Sequence, residues 1–94
     1  MPIGRYEDHY KRLMAAFTPI LGDYLRIGIN EVWAHGQFSH LWAEVCIESE
    51  SMMELIETNA PYPDCPDEVT VEPGWTFELN TANRLQYFGR MSRM

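Results

Sequence analysis

The 94-residue sequence predicts a single α+β domain. An N-terminal helix, kinked or split in two, packs on a small antiparallel sheet, with one or two short helices besides. Three observations point there. Apolar residues recur at helical spacing in the first quarter of the chain. Stretches rich in Val, Ile, Trp and Phe follow, bounded by turn dipeptides. No linker, repeat or low-complexity tract divides residues 1–94, and the length suits one domain. A mainly α arrangement is the alternative.

In the first segment Tyr6, Tyr10, Leu13, Phe17, Ile20 or Leu21, and Tyr24 share one helical face. Glu7 with Lys11 and Asp8 with Arg12 form i,i+4 pairs on the opposite face. Pro19 interrupts the pattern, and Thr18 before it is a candidate N-cap. The expectation is a kinked helix or two helices meeting near residue 18.

The stretch INEVWAHGQFSHLWAEVCIE reads as a hairpin turning at His35-Gly36. Leu41, Ala43, Val45 and Ile47 alternate onto one side of a strand over 39–48. Phe38, Trp42 and Cys46 fit helical spacing as well, and residues 27–35 stay open between strand and helix. Ser51-Met-Met-Glu54 matches a capping box, predicting a short helix over about 52–59. NAPYPDCPDE is a proline-bearing loop. VTVEPGWTFEL gives two short strands joined at Pro73-Gly74, a pair that favours turn types poorly matched to a tight hairpin. In NTANRLQYFGRM, Asn80 or Thr81 caps a last short helix or turn that stops at Gly89.

The formal net charge is −7, and its placement is uneven. Residues 27–83 contain no Lys or Arg and eleven acids. The C-terminal RLQYFGRMSRM carries three arginines and no acid. Such a base-free field repels itself and disfavours nucleic acid as a direct ligand, because phosphate affinity needs clustered cations. It favours a basic protein surface.

No apolar run reaches the length of a membrane span, and the charged N-terminus lacks a signal-peptide core. The expected location is cytoplasmic. Cys46 and Cys65 are then two free thiols, and their spacing matches no zinc pattern. No nucleophile–base motif, metalloprotease motif or phosphate-cradling loop occurs. The sequence therefore predicts no catalytic, cofactor-binding or metal-ligating residues and no enzyme. A small metal protein or enzyme using His40 and the loop around Cys65 is a minor alternative.

The leading expectation is a small inhibitor that masks a basic, nucleic-acid-facing surface of a larger protein. Immunity proteins, anti-restriction proteins and phage anti-CRISPR proteins share this character of size and composition, which is analogy only. The expected contact residues are Glu48, Glu50, Glu54, Glu57, Asp64, Asp67 and Glu68, with Trp42 and Met53 as apolar anchors. An adaptor or antiactivator that blocks target oligomerisation through the Tyr6–Tyr24 helix face is the other reading. The basic C-terminus either docks on the acidic middle of a second copy, giving a homodimer, or folds back within one chain.

Overall fold

The computed structural model describes residues 6–60, 63–82 and 85–91. Arg5, Arg84 and Arg93 of the charge pattern, and Pro61 and Tyr62 of the proline-bearing loop, lie outside them. The elements run α1 (Glu7–Leu21), a 3-10 turn (Gly22–Tyr24), β1 (Leu25–Ala34), β2 (Gln37–Ile47), α2 (Ser49–Thr58), β3 (Glu68–Glu72), β4 (Trp75–Leu79) and β5 (Gln86–Met91). The strands form one antiparallel sheet in the order β1-β2-β5-β4-β3.

The helix α1 runs unbroken through Pro19 and ends at Leu21. Thr18 is not an N-cap. It lies inside the helix, and its hydroxyl donates to the Met14 carbonyl. Pro19 stands two residues before the helix end and forgoes its own N–H bond, yet the helix continues for only two residues beyond it. The split expected near residue 18 reduces to the 3-10 turn that follows Leu21.

Leu13, Phe17 and Leu21 bury one stripe of α1 against the sheet. The facing residues alternate along each strand: Leu41, Ala43, Val45 and Ile47 on β2; Trp75, Phe77 and Leu79 on β4; Tyr87 and Met91 on β5. Phe17 meets both Phe77 and Tyr87, with ring centroids 5.7 and 5.0 Å apart. Each such side chain contributes about 2–3 kcal/mol by leaving water. Tyr87 also donates its phenolic proton to the Pro66 carbonyl, which ties the loop before β3 to the core.

Residues 27–35, left open by the sequence, belong to the β1–β2 hairpin. His35 and Gly36 both take positive φ, 54° and 77°, as a tight type I′ turn requires. A bulge follows, with the register slipping between Val32 and Trp33. In the β3–β4 hairpin the poor match of Pro73-Gly74 to strand twist is absorbed by a second register shift, between Thr70 and Glu72.

Two local expectations are corrected. The helix α2 begins at Ser49, not after Ser51, because the Glu48 side chain is its cap. The C-terminal segment is not a helix ending at Gly89. Residues Gln86–Met91 are a strand inserted between β2 and β4, bonded to both. Gly89 sits mid-strand because the Phe77 ring lies against its backbone. A Cβ there would meet the ring at 2.5 Å.

Gly89→Ala should therefore destabilise the domain by about 2–3 kcal/mol, the cost of overpacking a full core. In urea denaturation, adding Phe77→Leu should recover part of that loss relative to the two single variants taken together.

Candidate functional site

The sheet order dictates where the acids go. Strand β2 is second in the sheet and β3 is last, so the connection between them must cross below β5 and β4. That is three strand spacings, about 14 Å. The crossing consists of α2 and the segment 59–67. Its two ends are fixed by backbone bonds from Glu48 N to the Tyr24 carbonyl, 2.6 Å, and from Leu79 N to the Asp67 carbonyl, 2.9 Å. Glu48, Glu50, Glu54, Glu57, Asp64, Asp67 and Glu68 all lie on this crossing or at its exit into β3. The topology thus gathers every predicted acidic contact residue along one end of the sheet.

Glu48 has a structural duty. Its carboxylate accepts from the backbone N–H of Glu50 at 2.7 Å and of Ser51 at 3.3 Å. Negative charge at a helix N-terminus is favourable. The three acids within α2 make no such capping bond. Glu50, Glu54 and Glu57 are exposed on α2, whose last turn carries no basic residue. Glu54 and Glu57 stand toward the negative end of the helix dipole, unfavourable by roughly a few tenths of a kcal/mol each at an exposed position. Asn59, at φ 53°, closes the helix with its N–H on the Ile56 and Leu55 carbonyls.

Between the α2 carboxylates the helix shows apolar surface. Met53 is 55% exposed and Ile56 is 58% exposed, one helical turn apart, while Met52 and Leu55 turn inward. The adjacent methionines divide as their spacing requires. Ile56 was not anticipated. Its signal was available, since Met53 and Ile56 share the i,i+3 spacing of one face.

Trp42 is not part of this end. It lies mid-strand on the sheet face opposite α1, about 17 Å along β2 from Ile47. It stacks with Phe88, centroids 6.1 Å apart and planes 22° apart. Glu44, Glu78 and Arg90 surround the stack through cross-strand pairing. The sequence suggests Phe88 as a core aromatic in a last short helix or turn; the two-residue period of β5 instead sets it beside Trp42 on the face opposite α1.

The cations of α1 are already engaged. Lys11 pairs with Glu7 at 3.1 Å, and Arg12 reaches Asp8 at 3.9 Å and Glu72 on β3 at closer range. The Glu72 carboxylate raises the Arg12 pKa, through its hydrogen bond first and its charge second. Glu72 thus ties the acidic 27–83 field to a cation of α1.

His40 contacts Ser39 Oγ at 3.0 Å through Nδ1 and lies near the start of β2, whereas the connection that holds Cys65 leaves the other end of that strand. The His40–Cys65 pairing considered from the sequence is not brought together. His9 instead stacks on Trp75, centroids 5.2 Å apart and planes 8° apart. Cys46 is buried, Cys65 is half-buried, and both are free thiols. Among the described residues no three or more His, Cys, Asp and Glu side chains converge as a metal would need, and no helix is long and apolar enough to cross a membrane.

No protein-family model, curated protein or solved structure matches this chain.

The two candidate caps of α2 separate experimentally. Glu48→Ala should cost about 1 kcal/mol in a thermal melt, the usual cost of losing a cap. Ser51→Ala, which removes no capping bond, should stay within about 0.5 kcal/mol of the parent.

Proposed function

We propose that this domain is a small cytoplasmic binding protein that inhibits a larger protein by covering a basic, nucleic-acid-facing surface. It acts by occlusion and carries out no chemistry of its own. The observation that carries this reading is the end of the sheet crossed by α2. Seven carboxylates lie along one connection, Met53 and Ile56 stand exposed among the α2 acids, and the sequence supplies no Lys or Arg between residues 27 and 83.

The physics is that of a steered interface. A field of one sign speeds the encounter with an oppositely charged surface and fixes the docking register. Exposed apolar side chains at its centre provide area that is desolvated on docking, and methionine adapts to an uneven partner. A cationic partner also relieves the repulsion among the carboxylates and the unfavourable placement of Glu54 and Glu57. The pair Trp42 and Phe88, flanked by charges of both signs, forms a separate apolar patch, too far along β2 to belong to the same small contact.

The oligomerisation-blocking alternative relied on the apolar face of α1. Leu13, Phe17 and Leu21 of that face are core residues, which leaves it the half-buried Tyr6, Tyr10, Ile20 and Tyr24 and makes it the less favoured reading.

Reversing Glu50, Glu54 and Glu57 to Lys together tests the proposal. Affinity capture from host lysate with the parent domain should retain a nucleic-acid-binding protein that is released by added nucleic acid or by high salt. The triple variant should lose that protein by at least about a hundredfold in affinity, since several charge pairs of about 1 kcal/mol or more are inverted. Equal capture by both proteins at high salt would exclude acidic masking.

A further inference from the structure

The two edges of the sheet are built differently. Strand β3 is short, bulged at Val71, flanked by Glu68 and Glu72 and closed by Pro73. These are devices that stop an edge strand from pairing with another chain. Strand β1 has ten residues, and its pairing with β2 is regular from Leu25 to Val32. It carries one Arg and one Glu and contains no proline.

The direction of its free hydrogen-bonding groups follows from the register. Glu48 N donates to the Tyr24 carbonyl, and the pairing continues as Leu25 with Ile47 and Arg26 with Cys46. In an antiparallel ladder the bonded pairs alternate. Residues 26, 28, 30 and 32 therefore turn their backbone groups toward β2, and residues 25, 27, 29 and 31 turn theirs outward. The bond from Ile47 N to the Leu85 carbonyl agrees, since it gives the odd residues of β2 to β5. Among the described residues, no hydrogen bond reaches the outward backbone groups of Ile27 or Ile29. Helix α1 lies over the face of the sheet and not in its plane: Phe17 and His9 reach β5 and β4, and Tyr6 at its start donates to the Glu31 carboxylate on β1. Ile27 and Ile29 are only half-buried.

We propose that β1 is a strand-pairing edge whose occupant is β1 of a second copy of this chain, joined antiparallel about a two-fold axis to make one continuous sheet. Charge selects a second copy over a basic protein. On a chain of net charge −7, β1 is neutral, whereas the acidic crossing leads from β2 away toward β3. Antiparallel pairing also sends the two acidic ends to opposite ends of the joined sheet, which lowers the repulsion between copies. Centred on Gly28, the pairing stays within the regular segment Leu25–Glu31. It sets Ile27 against Ile29 of the other copy and Arg26 against its Asn30, so no like charges face each other. This edge is separate from the masking surface and goes beyond that function.

Two measurements test it. Sedimentation velocity over a concentration series should find a dimer that persists or strengthens as salt is raised, because salt screens repulsion between two acidic copies. Ile29→Pro removes an outward N–H and leaves the β1–β2 bonds in place, so it should be monomeric. Should that variant fail to fold, amide exchange on the parent protein still decides. Raising the concentration through the dimer range should slow exchange at Ile27 and Ile29 on the order of tenfold or more, while Gly28 and Asn30, bonded to β2, change little. A chain that stays monomeric with fast Ile27 and Ile29 exchange overturns the proposal. So does a dimer that dissociates at high salt, or a folded Ile29→Pro dimer. Protection that appears only when another protein is added assigns the edge to a different occupant and overturns it equally.

Discussion

The insertion of β5 between β2 and β4 is the constraint on which the rest of the structure depends. Without it the chain has two separate hairpins and no common sheet. With it, the last described strand bonds on both sides, and the rings of Phe17, Phe77 and Tyr87 meet over one point. The close approach of Phe77 to Gly89 is what lets β4 and β5 lie side by side under the helix. Because β5 pairs with β2 across the whole of α2, β3 and β4, the core closes through contacts distant in sequence. Such contacts carry a loop-closure cost, and they tend to make folding slow but all-or-none.

The same insertion arranges the charge. Once β5 and β4 separate β2 from β3, the intervening residues must cross the end of the sheet. They are the acid-rich residues. Concentrating them is unfavourable for a small domain, whose stability margin is narrow. The capping bonds of Glu48 and the pairing of Glu72 on β3 with Arg12 return part of this, and Glu50, Glu54 and Glu57 are left facing solvent. Placing so much like charge on one exposed connection makes physical sense if a cationic surface completes it.

In the proposed readings the neutral strand β1 and the acidic crossing serve two different contacts. One presents backbone groups and little charge, and the other presents charge on a short helix. The first suits contact between like molecules, where net charge works against association. The second suits contact with an unlike molecule, where net charge helps. The open sheet face with Trp42 and Phe88 lies between them and mixes both characters.

The sequence by itself determined what local rules govern. The period of α1, the positive-φ turn at His35-Gly36, the alternation of Leu41 to Ile47 and the distribution of charge are all set by residues a few positions apart. The tertiary structure decided what depends on distant partners. Gly89 reads locally as a helix stop, yet its lack of a Cβ serves a ring twelve residues earlier. Ser51 and Glu54 match a capping pattern, yet Glu48 takes the cap because β2 ends one residue before it and delivers its carboxylate to the open N–H groups of the helix. Trp42 could be assigned to a face of its strand, but only the placement of α1 on the other side leaves that face open. Local propensity acts over a few residues, whereas strand neighbours and buried surfaces are chosen by the whole chain at once.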